Sequence, residues 1–327
     1  MSDVRSAVEA VAERIRAGSR FLVTSHRNPD GDALGSSLAL LRLIQALGKE
    51  ARILVRDPGP PQLAKVPGIE RVEIVDTLPA DYPDGWDALF TMECPEAGRC
   101  GYPILPGPVI NIDHHQGNEL YGELNLLDVD APSAGEMLLD LFDALEVELD
   151  PDSATAIYVS LASDTGFFRY TNTTLRAFES ATRLVRAGAN PGEISLWINE
   201  SVSPAAMKLQ ALCMSTLEVH DEGSIATMEL PLRFLEETGA TAEDSDGLSS
   251  LARTLEGVQV AAFLREVEDG TRVSLRAKPG ANVFAVASTF GGGGHKAASG
   301  CFVPEPLDTA RTSILDAIRK YAFNATP

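Results

Sequence analysis

Two short clusters of histidine and acidic residues carry most of the chemical potential of this sequence. The first, Ser25-His26-Arg27-Asn28-Pro29-Asp30-Gly31-Asp32, places one imidazole and two carboxylates after the apolar run 21–25. Pro29 and Gly31 predict a sharp turn, so Asp30 and Asp32 can point at neighbouring positions. Imidazole and carboxylate groups brought together in this way are metal ligands. The same residues also form an ordinary turn sequence, and alone they leave both interpretations open.

The second cluster is Asn111-Ile112-Asp113-His114-His115, directly after Val109-Ile110. Adjacent histidines are costly to bury as packing residues, because each ring needs its own hydrogen-bond partner. A solvated surface pair is the alternative, but the similarity to the first cluster favours a shared metal site. Oxygen and imidazole donors without thiolate clusters indicate Mn²⁺ or Mg²⁺, with Fe and Co ions as alternatives, over a structural zinc.

Two further acids end apolar runs. Asp164 follows the buried helical pattern 156–162, and Glu93 ends the strand-like run 87–92. A capping or turn role is the alternative for Asp164. Taken alone, Glu93 would be unremarkable.

A glycine-rich segment near the end of the chain is a candidate anion site. In Gly291-Gly292-Gly293-Gly294-His295-Lys296, backbone N–H groups are predicted to converge on an anion beside two further donors. The preceding strand carries Ser274, Arg276 and Lys278 on one face by the two-residue period. A flexible linker and plain solvation are the alternatives.

The spacing of apolar residues predicts an α/β fold with a doubly wound, mainly parallel sheet, followed by a second, smaller α/β domain. In the first part, strand-like runs at 21–25, 51–56, 72–75, 87–92 and 109–112 alternate with helical patterns at 4–17 and 33–47. Both clusters lie at the carboxyl ends of strands, where such folds bind ligands.

Helical patterns then dominate, at 133–145, 152–162, 175–187 and 205–216. Strands are expected at 224–230, 258–267 and 271–277, with Asp269-Gly270 as a hairpin turn. We predict a catalytic domain at 1–195, a helical connector at 196–217 and a substrate-binding domain at 218–327.

Composition limits the class of protein. The 327 residues are 44% hydrophobic, enough for two globular domains, and no apolar stretch approaches the roughly 18 residues of a membrane span. A cytoplasmic location with four reduced cysteines is expected. The net charge of −20 argues against long nucleic acid as a partner but allows a small anionic substrate held by local cations.

These motifs, in this order, resemble the DHH family of phosphoesterases with its DHH-associated C-terminal domain, in the oligoribonuclease and pAp-phosphatase group. The resemblance covers nearly the whole chain and depends on His26-x-Asn28-Pro29-Asp30-Gly31-Asp32, Asp113-His114-His115, Asp164-Thr165-Gly166 and Gly291-Gly292-Gly293-Gly294-His295. It implies two divalent metal ions, usually Mn²⁺ with Mg²⁺ or Co²⁺ as alternatives, and an associated domain that closes over the cleft.

The resemblance also implies roles for single residues. One metal would be held by His26 and Asp30, and the other by Asp32, His114 and Asp164. Glu93 would bridge them, where the family usually has Asp, which changes the reach of the ligand. Without cations these acids would repel one another.

Other residues would handle the substrate. His115 would contact the scissile phosphate, Asp113 would orient a neighbouring histidine, and Arg99 is a further candidate for phosphate contact. The substrate-binding set of the second domain is Ser274, Arg276, Gly292, Gly293, Gly294 and His295.

The function predicted in this way is metal-dependent hydrolysis of short RNA or dinucleotides to mononucleotides, together with removal of the 3′-phosphate of pAp. The alternatives are a phosphodiesterase for cyclic dinucleotides or linear pApA and pGpG, a pyrophosphatase of the same superfamily, and a nucleotide-binding module without activity. No membrane partner is expected, and a homodimer is possible.

Overall fold

The chain forms two compact units. The computed structural model describes residues 2–245 and 247–323, and the boundary between the units lies between Ser201 and Val202. The segment 196–217, predicted as a connector, contains the end of one helix of the first unit and a helix whose Leu209 and Cys213 are buried in a core of the second.

A six-stranded parallel sheet organises the first unit. Its strands are β1 (Arg20–Ser25), β2 (Glu50–Val55), β3 (Val72–Ile74), β4 (Ala88–Met92), β5 (Val109–Asp113) and β6 (Leu124–Leu127). The order β3-β2-β1-β4-β5-β6 reverses between β1 and β4, and every neighbouring pair is parallel. This confirms the prediction of an α/β unit with a mainly parallel sheet and adds β6, which the apolar pattern did not reveal. The reversal opens a crevice at the carboxyl ends of β1 and β4.

The helices of this unit share one apolar core with one face of the sheet. They are α1 (Ser2–Ala17), α2 (Gly31–Ala46), α3 (Ala134–Ala144), α4 (Pro151–Asp164), α5 (Leu175–Arg186) and α6 (Pro191–Asn199). On the other face, Leu22, Leu54 and Leu89 are covered by Tyr82 and Trp86 from the long β3–β4 connection. That face is therefore shielded by loop residues and not by a helix layer.

Two glycines bring α2 close to α4. A Cβ atom on Gly35 would lie 2.5 Å from the carbonyl oxygen of Ala156, and one on Gly31 would lie 2.5 Å from Ser163 Oγ. Real Cβ contacts are never this short, so only glycine allows the two helices to approach so closely. The approach sets the first turn of α2 beside the last turns of α4.

The second unit contains a mixed six-stranded sheet. Its strands are β7 (Glu218–His220), β8 (Ile225–Leu230), β9 (Val260–Val267), β10 (Gly270–Ala277), β11 (Gly293–Gly294) and β12 (Ala298–Val303). The order is β11-β12-β10-β9-β8-β7, and only β8 and β9 pair in parallel. The three predicted strands are confirmed. The hairpin turn is one residue earlier than predicted, at Glu268-Asp269, because Gly270 already pairs with Val267.

Helices cover both faces of this second sheet. One core includes α10 (Val283–Ser288), α11 (Leu307–Ala317) and the following π-helical turn Ile318–Ala322, and the other includes α7 (Pro204–Ser215), α8 (Leu232–Thr238) and α9 (Leu248–Leu251). In the described part of the chain, no helix combines the length and the apolar character needed to cross a bilayer.

Candidate metal centre

The predicted ligands gather at the crevice of the first unit, at the ends of five elements. His26 follows β1, Glu93 follows β4, and His114 follows β5. The first turn of α2 contributes Asp32, and the last residue of α4 is Asp164. Parallel strands place their carboxyl ends at one edge of the sheet, so residues far apart in sequence meet there.

On one side of the crevice, His26 and Asp30 face Glu93. The distance from His26 Nε2 to Glu93 Oε2 is 3.3 Å, and donor atoms of all three residues lie within 4.8 Å of one another. Asp30 is also the N-cap of α2, since its Oδ1 accepts from the backbone N–H groups of Asp32 and Ala33. These two bonds use one carboxylate oxygen and leave the second free to bind another ligand.

On the other side, Asp32, His114 and Asp164 surround the same glutamate. His114 Nε2 lies 3.5 Å from Asp32 Oδ2 and 3.7 Å from Asp164 Oδ2. Donor atoms of these residues and of Glu93 again lie within 4.8 Å of one another. Glu93 therefore belongs to both groups of candidate ligands.

The histidine rings are held with Nε2 towards the acids. His26 Nδ1 lies 2.8 Å from the carbonyl oxygen of Arg27, and His114 Nδ1 lies 3.1 Å from that of Ala131. A carbonyl oxygen can only accept, so Nδ1 carries the hydrogen and a neutral ring presents a lone pair from Nε2. Histidine ligands of metals are oriented by this kind of bond.

Among the buried side-chain atoms of the described residues that lack a hydrogen-bond partner, two belong to candidate metal ligands. They are His114 Nε2 and Glu93 Oε2, and both point into the crevice. Buried polar atoms are almost always satisfied, so an orphaned pair indicates a missing partner. A divalent cation suits an imidazole lone pair and a carboxylate oxygen equally well, and the residues present fit such an ion.

Burial raises the pKa of the central acids. The carboxyl of Asp32 is fully buried and near Asp164, which raises its pKa to about 7 in spite of His114. The pKa of Glu93 lies well above its ordinary value, first from burial and then from repulsion by Asp32 and Asp30. Crowded carboxylates of this kind become stable when a cation neutralises them.

Asp32 is held by a network that sequence reasoning missed. Its carboxylate accepts from the N–H groups of Ala134 and Gly135, at the first turn of α3, and from Ser160 Oγ at 2.6 Å. Ser160 lies 128 residues along the chain from Asp32. No local pattern marks such a pair, because it depends on the packing of α2 against α4.

A second network holds Asp113 and His115. His115 Nδ1 donates to Asp113 Oδ1 at 2.8 Å, and Asn118 Nδ2 donates to Asp113 Oδ2. Burial alone would raise the pKa of Asp113, but these two hydrogen bonds keep it below its ordinary value. The bond to Asp113 raises the pKa of His115, while nearby Arg99 opposes the rise.

The turn after β1 differs in detail from the prediction. Gly31 lies inside α2 with ordinary helical geometry and is needed for the close approach to Ser163, whereas Asn28 has the left-handed backbone, with φ of 52°. Asparagine tolerates that conformation better than most residues. Asn172, also missed from sequence, donates to Asp164 Oδ2 at 3.1 Å.

In the second unit, Ser274 and Arg276 line a pocket of about 230 Å³ together with Arg265 and Arg272. Arg276 is half-buried, and burial and the nearby Arg253 lower its pKa. Arg272, Ser274 and Arg276 share the less buried face of β10, as the two-residue period predicted. Lys278, which was predicted on the same face, donates to the carbonyl oxygen of Leu255 and does not line this pocket.

The glycine segment is not a free loop. Gly293 and Gly294 form β11 and pair with Gly300 and Ser299, and the N–H of Gly292 donates to the carbonyl oxygen of Ala287. The expectation that these N–H groups all converge on an anion is therefore wrong for Gly292. The pairing of β11 with β12 also restricts the backbone of the adjoining residues. His295 is exposed beside the turn into β12.

Comparisons with known proteins agree with this arrangement. Residues 20–161 match the DHH family, N-terminal domain, and residues 222–323 match the DHHA1 domain. The bifunctional oligoribonuclease and PAP phosphatase NrnA of Thermus thermophilus is 37% identical over 315 residues, which covers 95% of this chain and 93% of the relative.

Two solved structures share the fold. An exopolyphosphatase-related protein from Bacteroides fragilis superposes with a TM-score of 0.88 at 22% identity, covering 97% of this chain and 96% of that chain. RecJ from Thermus thermophilus, solved in complex with Mn²⁺, superposes with a TM-score of 0.56 at 16% identity, covering 97% of this chain and 55% of that chain.

Proposed function

The chain belongs to the DHH family, and from this premise we propose that it is a metal-dependent phosphohydrolase acting on short oligoribonucleotides, dinucleotides and pAp. The observation that carries the proposal is the position of Glu93, which belongs to both groups of candidate ligands. A carboxylate shared by two groups of donors suits a pair of divalent cations. The match to NrnA of Thermus thermophilus over 95% of the chain supports the substrate class.

We assign His26 and Asp30 to one cation and Asp32, His114 and Asp164 to the other, with Glu93 between them. When bound, such cations activate water and neutralise charge on the phosphate. The protein orients the donors: Arg27 and Ala131 hold the two imidazoles, and the N-terminus of α3 holds Asp32. Mn²⁺ is the ion that we propose, with Mg²⁺ and Co²⁺ as alternatives.

His115 is assigned to the scissile phosphate. Its Nδ1 donates to Asp113, so Nε2 faces away from Asp113, at 4.0 Å from Glu93 Oε1. The raised pKa keeps a larger fraction of the ring protonated, and a protonated ring donates a charge-assisted hydrogen bond to a phosphate oxygen. Asp113 holds the ring in position, and Arg99 supplies a second positive charge nearby.

The net charge of the chain favours short substrates. The chain carries a net charge of −20 and therefore offers little to a long phosphate backbone. We propose that Ser274, Arg276 and His295 bind phosphate or nucleotide, with Gly292, Gly293 and Gly294 shaping the hairpin beside His295. A cytoplasmic location and a homodimer remain predictions.

A substrate panel tests the proposal. Purified protein is assayed with pAp, pApA, cyclic dinucleotides, pyrophosphate and RNA of 2 to 24 nucleotides, each with Mn²⁺, Mg²⁺, Co²⁺ and Zn²⁺, and Asp32→Asn serves as the inactive control. Metal-dependent release of mononucleotides from pAp and dinucleotides is expected. Preference for cyclic dinucleotides or for pyrophosphate would contradict the proposed substrate class and favour the corresponding alternative activity. Binding without turnover under every condition would make it a nucleotide-binding module.

A further inference from the structure

The segment after Asp164 has an unusual backbone. Gly166, Phe167 and Phe168 are left-handed in succession, with φ of 57°, 56° and 62°. Non-glycine residues rarely adopt this conformation, and it persists only where the surroundings enforce it. Here Phe167 donates its N–H to the carbonyl oxygen of Ala162 at 2.6 Å. The segment is thus held in a strained shape immediately beyond a candidate metal ligand.

This backbone presents the ring of Tyr170. A Cβ atom on Gly166 would lie 2.4, 2.5 and 2.6 Å from three atoms at the hydroxyl end of that ring. Nearly equal distances to three ring atoms mean that Gly166 lies under a face of the ring and not at its edge. Gly166 is buried by this contact, yet Tyr170 is 55% exposed. One face of the ring therefore packs on backbone while a large part of the side chain remains open.

Gly166 and Tyr170 together form what we call the aromatic shelf. Hydrogen bonds connect it to the candidate metal centre. Asn172 Nδ2 donates to both the carbonyl oxygen and Oδ2 of Asp164, at 3.2 and 3.1 Å. The N–H of Tyr170 donates to the carbonyl oxygen of Thr165 at 3.0 Å. Arg169 is exposed, and its Nε donates to the carbonyl oxygen of Gly166.

We propose that Tyr170 is a base-stacking residue, which takes the nucleobase of a nucleotide whose phosphate lies at the metal centre. This inference rests on the proposed function and adds a contact to the base that the metal ligands do not provide. Every base has a π-face, so such a shelf binds without strong preference for sequence. Phe178 is similarly exposed at 53%, but its ring already stacks on Phe168.

Product binding tests the shelf independently of turnover. The affinities of AMP and of ribose 5-phosphate, which lacks the base, are measured by calorimetry in the presence of Mn²⁺. A base stacked on an aromatic ring contributes about 1–3 kcal/mol, so Tyr170→Ala should weaken AMP binding about 5- to 150-fold. The affinity for ribose 5-phosphate should stay unchanged. Tyr170→Phe should retain AMP binding, because the aromatic ring is kept. Tyr170→Leu should lose most of the AMP affinity that the ring contributes.

Phe178→Ala is the matched control, because it removes an equally exposed ring from the neighbouring helix; it should leave both affinities unchanged. Equal loss of AMP and ribose 5-phosphate binding in Tyr170→Ala would mean a structural role for the ring and overturn the inference. An unchanged AMP affinity, or the same loss in Phe178→Ala, would do so as well. Failure of the proposed function would appear separately, as absent turnover of pAp and dinucleotides by the parent protein.

Discussion

Ser160 Oγ donates a 2.6 Å hydrogen bond to Asp32 Oδ1, and both residues are fully buried. This bond joins α4 to the first turn of α2, where Gly31 and Gly35 have removed the side chains that would keep the helices apart. The orientation of one candidate metal ligand is therefore a property of a helix pair and not of a flexible loop.

Replacing Asp32 should abolish activity with little change in fold. In Asp32→Asn, an amide oxygen can still accept the bonds from Ser160 and Gly135, but the negative charge is lost. Metal-ion chemistry supplies most of the rate in such sites, so we expect kcat to fall by several orders of magnitude. His114→Ala should have a similar effect. The check is kcat together with circular dichroism and bound-metal content, and near-normal turnover after exhaustive chelation would contradict the metal assignment.

Glu93 offers a sharper comparison between two conservative changes. Glu93→Gln keeps the size and removes the charge, so metal occupancy and kcat should both fall strongly. Glu93→Asp keeps the charge, and Asp tolerates the left-handed backbone found here, with φ of 57°. It should retain partial activity with an altered order of preferred metals. If Glu93→Gln is as active as the parent, the bridge between the cations comes from another residue.

The metal-free protein should lose stability as pH rises. The carboxyl of Asp32 has a pKa of about 7 in the folded protein, against about 3.9 when unfolded. The folded state therefore holds a proton that the unfolded state has released between these values, and the free energy of unfolding falls with pH by up to about 4 kcal/mol. Glu93, with its raised pKa, adds to the same slope.

The measurement is thermal unfolding between pH 4 and 8 with and without saturating Mn²⁺. We expect a marked downward slope without metal, a flatter profile with metal, and a reduced slope in metal-free Asp32→Asn. A metal-free protein whose stability is constant or rises over this range would contradict the raised pKa values.

Substrate length should be limited, and Arg276 should contribute to binding more than to chemistry. We expect kcat/KM to be highest at two to about five nucleotides and to fall steeply for longer strands, since a chain with net charge −20 gives a long phosphate backbone few contacts. Arg276→Ala and His295→Ala should mainly raise KM, because both are proposed to bind ground-state phosphate.

Arg319→Ala provides the control, because this exposed arginine is paired with Asp221 and lies outside the Arg276 pocket. It should leave KM unchanged. Equal or better processing of a 24-mer, or an unchanged KM in both test variants, would contradict the short-substrate model.

Much of the catalytic unit could be predicted because its signals are local. Apolar runs ending in His26, Glu93 and Asp113 indicated strands that deliver polar residues at their carboxyl ends, and strand periodicity placed Ser274 and Arg276 on one face. The prediction for the glycine segment was less successful. Gly293 and Gly294 pair with β12, and a run of glycines does not reveal whether another strand lies within hydrogen-bonding distance.

The sequence by itself determined the types of donor, their order along the chain and the elements that carry them, because hydrophobic period and turn chemistry act over a few residues. The family resemblance already implied a bridging position for Glu93, but only the tertiary structure decided that Ser160 holds Asp32 and that Tyr170 packs on Gly166. The first contact joins distant segments, and the second needs a backbone that the surrounding packing enforces. Such contacts follow from how close the packed elements come to one another, which a one-dimensional pattern does not encode.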